Sequence, residues 1–179
     1  MRLRSIAGAA GSLLLLTTAA AAQDRPLDPA NPTTSQAARY VLGMSRNLVG
    51  AAELMPADKY GFKPTPAQWT FGEVVAHITD ENDQSCDPIL GRATHPKEPA
   101  PSEGKAVLIA ALRASFARCD TAFAGLKDSR LNDKVSYYGS QSPIVTVLFG
   151  QVSDWGDHYA QEAIYLRLNG ILPPTARQN

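Results

Sequence analysis

Residues 142–170 read SPIVTVLFGQVSDWGDHYAQEAIYLRLNG. Ser142 followed by Pro143 is a favourable helix start, because proline at the first helical position has a preset φ and needs no N–H partner. Gly170 sits where a helix exits through the left-handed region, and Pro173 and Pro174 block any continuation. On a wheel of about 100° per residue centred on His158, seven residues fall within about 60° of it: Ile144, Val147, Gln151, Asp154, Gln161, Glu162 and Tyr165. Trp155 lies at the edge of that sector, with Leu148 and Leu166 just outside. One face therefore begins apolar, turns polar in its middle and becomes apolar again. A polar centre on an inward face has to be paired, hydrated or bound to something.

Three further segments upstream carry helical periodicity. Thr33, Thr34 and Ser35 offer N-caps for a helix running to about Met55, with Tyr40, Val41, Met44, Leu48, Ala51, Ala52 and Met55 on one face. Pro56, Gly61, Pro64 and Pro66 make residues 56–69 a loop. Thr70 with Glu73 forms a capping box that opens a second helix, whose stripe includes Phe71, Val74, Ile78 and Ile89. Pro88 and Gly91 mark its end. Residues 92–103 are polar and proline-rich. A third helix, from about Ser102 to Lys127, has the cleanest stripe: Leu108, Leu112, Ser115, Phe116, Cys119, Phe123 and Leu126. Residues 131–141 read as a loop with possible strand character. Four helices of about 20 residues predict an all-α four-helix bundle with long inter-helix loops. A loop of 13 or 14 residues spans up to roughly 40 Å, more than the 30 Å of such a helix. Parallel neighbours are thus allowed, and topology stays open.

The ends and the composition bound the function. Arg2 and Arg4, the apolar run Leu13–Leu16 and the small residues Ala19–Ala22 form a signal-peptide pattern, so residues 1–22 are expected to be removed on export. Residues 23–32, with three prolines, read as a linker, leaving 33–179 as one domain of a periplasmic or secreted protein. The formal net charge is zero. With no basic run after Arg4, nucleic acid is not an expected partner. The apolar run is too short to span a bilayer, so no stable membrane insertion is expected after cleavage. Cys86 and Cys119 admit two readings, a disulfide between helices two and three or two plain core residues.

Asp154 and His158 are one helical turn apart, so both side chains can reach one spot between helices. An imidazole nitrogen and a carboxylate oxygen at that spacing suit a divalent cation. A third ligand has to come from another helix, and His77 lies mid-way along helix two, flanked by Glu73, Asp80 and Glu81. Spacing alone leaves a hydrogen-bonded polar pair as the competing reading. His95, in a proline-rich loop, is expected to be solvated and not a ligand.

Three stretches resemble the DinB/YfiT-like family: Met55–Pro66, Trp69–Asp80, and Asp154–Gln161 with its exit Tyr165–Pro174. The resemblance implies a four-helix bundle, often dimeric, so a homodimer is an expectation here. It also implies a metal site with one histidine from helix two and a His-x-x-x-His pair from helix four. His77 matches the first ligand and His158 the last. Asp154 stands where the family has its middle histidine, which implies a His-Asp-His set suited to zinc, nickel, manganese or iron. Gln161 matches a glutamine common after the last ligand, whereas Tyr159 and Ala160 replace the usual Arg-Gly. Relatives include thiol-dependent transferases, and the expectation is a metal-dependent hydrolase or transferase acting on a small-molecule substrate. Asp80 or Glu162 would relay a proton and Gln161 would orient a ligand. The alternative is an exported binding module that has lost its metal.

Overall fold

Four helices carry the chain: α1 (Pro32–Leu54), α2 (Phe71–Ile89), α3 (Lys105–Ala124) and α4 (Ile144–Leu168), with a two-stranded antiparallel hairpin, β1 (Lys134–Tyr137) and β2 (Ser140–Pro143), before the last helix. The computed structural model describes residues 25–177. The signal-peptide expectation for residues 1–22 lies outside them. No helix among the described residues is long and apolar enough to cross a membrane.

Side-chain contacts set the topology. Asn82 meets Ser115 and Cys86 meets Cys119, so α2 and α3 run parallel. Phe71 meets Tyr165, His77 meets His158 and Asn82 meets Trp155, so α2 and α4 run antiparallel. Glu53 of α1 pairs with Arg113 of α3, while Arg25, just before α1, pairs with Asp120 near the far end of α3, which makes α1 and α3 antiparallel. Both α1 and α2 pack on α3 and on α4, which leaves α1 diagonal to α2 and α3 diagonal to α4. This up-down-down-up order explains the long connections. The segment between α2 and α3 returns along the bundle so that two parallel helices can lie side by side.

The core is continuous through the four helices. Trp155 is wholly buried against Phe116 and Phe123, with ring centroids 5.6 and 5.9 Å away. Its Nε1–H donates to Asn82 Oδ1 at 2.6 Å, and Asn82 Nδ2 donates to Ser115 Oγ at 2.9 Å. A buried amide is thereby satisfied inside an apolar interior. Cys86 and Cys119 form a disulfide across α2 and α3, their Cα atoms 5.0 Å apart, which decides between the two readings of these residues.

Several helix starts differ from the expected ones. The Thr70–Glu73 capping box forms as read. Helix α1 instead begins at Pro32, and the N–H groups of Thr33 and Thr34 donate to the carboxylate of Asp128, distant in sequence. Asn31 Oδ1 accepts from Asp128 N in return. A cap supplied by another segment is invisible to local pattern. Helix α4 begins at Ile144, because Ser142 and Pro143 finish strand β2 and Ser142 makes no cap. Residues 25–31, within the expected linker, are tied down: Arg25 donates to both carboxylate oxygens of Asp120, at 2.7 and 3.2 Å.

The hairpin accounts for residues 131–141. Tyr137 pairs with Ser140, leaving Tyr138 and Gly139 as a two-residue loop with φ of 46° and 74°. Positive φ at both positions is the turn whose twist matches a hairpin, and it normally selects Asn-Gly. Tyr138 takes that strained position instead. Strand β1 lies against both α2 and α4. The hydroxyl of Tyr137 lies 3.0 Å from where a Cβ at residue 150 would be, so Gly150 makes room for the ring on α4.

Candidate metal centre

Antiparallel packing of α2 on α4 brings His77 and His158 together, their ring centroids 4.9 Å apart and nearly perpendicular. Each histidine has a carboxylate one turn along its own helix. His158 Nε2 is 3.3 Å from Asp154 Oδ1, and His77 Nε2 is 3.6 Å from Glu81 Oε1. His158 is buried, whereas His77 keeps about 29% of its side chain exposed, so the centre opens to solvent on the His77 side. Asp154 Oδ2 is buried and has no hydrogen-bond partner. A shielded carboxylate oxygen without a donor is costly unless something else satisfies it.

Both rings are held from behind. His158 Nδ1 lies 3.2 Å from Gln161 Oε1, which lets Nδ1–H donate while Nε2 faces Asp154. Gln161 Nε2 donates to Tyr165 Oη at 3.4 Å, and Tyr165 Oη donates to the carbonyl of Trp69 at 2.9 Å. The indole of Trp69 lies against His77, with centroids 4.6 Å apart. One residue at the entrance to α2 thus braces both histidines, one through its ring and the other through its carbonyl. Burial by itself would lower the pKa of His158, but the Asp154 hydrogen bond and charge, with Gln161 and Asp157, outweigh it and raise it.

The hairpin closes the carboxylate end. Tyr138 Oη donates to Glu81 Oε2, and its ring lies 4.6 Å from that of Tyr137. Burial first, then the hydrogen bond to Glu81, push the Tyr138 phenol upward in pKa, so its hydroxyl keeps its proton.

The other expected site residues divide. Gln161 contacts His158 Nδ1 through Oε1. Glu162 is wholly buried with both oxygens unpartnered, and burial pushes its pKa well above the usual carboxylate range. No hydrogen bond links it to either histidine. Asp80 departs from its expected place beside His77. Three residues round the helix, its carboxylate accepts from Gln84 and joins His95 and Glu98, the three ligand atoms lying within 4.8 Å of one another. That tightness exceeds what His77, Asp154 and His158 show among themselves. His95 is exposed, as expected, but pairs with Glu98 at 3.1 Å. This outer cluster has no unsatisfied buried atom, and its groups already serve one another. A cleft of about 450 Å³ between α1 and α3, lined by Glu53, Arg113 and Asp120 among others, holds no histidine. Its acids are paired, Glu53 with Arg113 and Asp120 with Arg25.

Sequence reading missed Trp69 and Tyr138. The stacking of Trp69 follows from a loop path, and Tyr138 reaches Glu81 across 57 residues, so neither leaves a periodic signal.

The fold is a four-helix bundle in which two antiparallel helices each set a histidine beside a carboxylate, with the two histidines facing each other. Residues 41–162 match the family model of the DinB superfamily, and the chain belongs to that superfamily. Its fold is similar to that of a DinB-like protein from Bacillus subtilis, with 16% identity and a TM-score of 0.64, covering 80% of this chain and 99% of that one. A DinB-like protein from Bacillus cereus is similar at 15% identity and a TM-score of 0.63, covering 79% and 93%. A conserved protein from Enterococcus faecalis follows at 15% and 0.61, covering 76% and 96%. No functionally curated protein matches the chain. At these identities the solved structures speak for the fold alone.

Proposed function

We propose that this chain is an exported, metal-dependent hydrolase acting on a small molecule, with His77, Asp154 and His158 holding one divalent ion. The observation that carries this reading is the pairing of the two histidine rings, with Asp154 Oδ1 3.3 Å from His158 and the other Asp154 oxygen buried and unsatisfied. Two imidazoles and a carboxylate fit a cation such as zinc, manganese or iron, and three ligands leave room for water or substrate. When bound, such an ion lowers the pKa of water and polarises a substrate oxygen.

The chain's own groups would do the rest. Gln161 holds His158 with Nε2 presented inward, and Trp69 keeps the His77 ring from turning. The opening beside His77 admits substrate, while Tyr165 and Phe62 close the apolar side beneath, their rings 6.0 Å apart. Burial pushes the pKa of Glu162 well above the usual carboxylate range, which suits an internal acid rather than a ligand. The Cys86–Cys119 disulfide favours an oxidising compartment. Small thiol cofactors are scarce there, which favours hydrolysis over thiol transfer.

The test is metal analysis of untagged protein purified from its own export compartment. About one divalent ion per chain is expected, lost in His158→Ala and kept or strengthened in Asp154→His. Hydrolysis of a panel of small esters, amides and lactones should vanish with chelator and return with the ion. A parent protein without metal, or a His158→Ala protein that keeps it, would overturn the reading.

A further inference from the structure

Glu81 is a carboxylate beside His77 that the His-Asp-His set does not use. Its two oxygens have different tasks. Oε1 lies 3.6 Å from His77 Nε2, on the side of the histidines, while Oε2 accepts the hydroxyl of Tyr138. Across the helix pair, Asp154 Oδ1 stands in the same relation to His158 Nε2, at 3.3 Å. Each helix thus contributes a histidine and a carboxylate one turn apart, and the antiparallel packing sets histidine beside histidine. Neighbouring ligands in a tetrahedral site lie about 3.3–3.6 Å from each other when metal–ligand bonds are about 2.0–2.2 Å. Both intrahelical pairs are close to that separation, whereas the two pairs stand farther from each other, no three of the four ligand atoms lying within 4.8 Å.

The hairpin explains how Glu81 keeps that aim. A glutamate near a surface has several rotamers, and holding one of them costs side-chain entropy. Tyr138 supplies the restraint. It does so from a positive-φ position that Asn or Gly would occupy with less strain, and with its ring about half exposed. Neither turn geometry nor burial asks for a tyrosine there, but the hydrogen bond to Glu81 does. The hairpin is itself seated on α4, where Gly150 admits Tyr137. A ligating carboxylate whose outer oxygen is hydrogen-bonded is the usual way protein metal sites orient their ligands.

We propose that Glu81 is a fourth protein ligand of the ion, through Oε1, and that Tyr138 is the residue that positions it through Oε2. The donor set then becomes two histidines and two carboxylates, which balances the charge of a divalent cation. This inference rests on the metal reading of His77, Asp154 and His158.

The test is a Zn²⁺ titration of the chelator-treated, disulfide-intact protein, followed by calorimetry, comparing the parent with Glu81→Gln, Tyr138→Phe, the double variant and His158→Ala. Tyr138→Phe should weaken Zn²⁺ about 10-fold, and Glu81→Gln about 100-fold, the range over which supporting and ligating groups act. The double variant should be no weaker than Glu81→Gln alone, because Tyr138 acts only through Glu81. Tyr138→Asn, a better turn residue, should raise the metal-free melting midpoint yet bind Zn²⁺ as poorly as Tyr138→Phe. That split would not arise from a merely structural tyrosine. If His158→Ala loses Zn²⁺ while Glu81→Gln binds within twofold of the parent, the fourth ligand is refuted and the three-residue site stands. If Tyr138→Phe weakens binding further in the Glu81→Gln background, the positioning role is refuted. If the parent binds no Zn²⁺, or binds it undiminished in His158→Ala, the metal reading fails and this inference with it.

Discussion

Glu162 is an acid placed where an acid is costly. It is wholly buried, neither oxygen has a partner, and desolvation raises its pKa well above the ordinary 4.5. In the pH range between the unfolded and folded values, the native protein holds a proton that the unfolded chain has released. Stability therefore falls as pH rises through that window. Glu162→Gln keeps the shape and removes the ionisation. With chelator present, the variant is expected to melt higher than the parent near neutral pH, and its midpoint should decline less between about pH 5 and pH 8. Thermal unfolding followed by circular dichroism across that range measures both. Parallel curves for parent and variant would mean that Glu162 is not what couples proton to fold. Asn82 is the opposite case, a buried polar group with its bonds made. Asn82→Ala strands the Trp155 N–H, while the Ser115 hydroxyl still donates to the Leu112 carbonyl, and a loss of about 1–3 kcal/mol is expected in urea unfolding.

Among the elements, α2 carries His77 and Glu81 and opens on a capping box. Its first turn is closed by Thr70 Oγ1 accepting from Glu73 N at 3.2 Å and by Glu73 Oε2 accepting from Thr70 N at 2.6 Å. Thr70→Ala should cost about 1 kcal/mol of stability. The same change should loosen Trp69, the adjacent brace of His77, and so raise the amide exchange of that turn. Near its other end, the disulfide ties α2 to α3 across a sequence separation of 33. In the chain-entropy view that cross-link stabilises by roughly 3–4 kcal/mol. Guanidinium unfolding with and without reductant should show a midpoint shift of that size. An unchanged midpoint, or two thiols titrated in the unfolded, unreduced protein, would rule the bond out. Because α2 and α3 are parallel neighbours joined by a long segment, the bond holds a pairing that no short turn enforces.

For the whole molecule, the proposed metal centre lies between α2 and α4, and an ion bound there should stabilise the bundle as a ligand that binds only the folded state. At a free ion concentration about 100 times Kd, mass action adds about 2.7 kcal/mol. The melting midpoint should rise with the ion in the parent and stay fixed in His158→Ala, which differential scanning calorimetry would read directly. The effect should weaken toward acid. The raised pKa of His158 favours its protonated form, and a protonated imidazole cannot ligate. A midpoint shift equal in parent and His158→Ala would place the ion elsewhere on the protein, with the Asp80, His95 and Glu98 group the alternative.

What could be read along the chain was whatever repeats with the helix or caps it. Four helices followed from apolar spacing and from Thr70 with Glu73, and the pairing of Asp154 with His158 followed from a four-residue step on one face. These are properties of a single helix, and 3.6 residues per turn determine them locally. His77 was a candidate from its place mid-way along helix two and from the family resemblance, but no spacing within one helix could relate it to residue 158. The rest belongs to the packed molecule. The up-down-down-up order depends on loops long enough to permit either direction, so only the fit of core side chains such as Trp155 on Phe116 decides it. The cap of α1 by Asp128, the turn of Asp80 toward His95, and the reach of Tyr138 to Glu81 all join residues from different elements. A side chain's partner across space is chosen by the backbones of both elements at once, and a sequence specifies those only when the whole chain has folded.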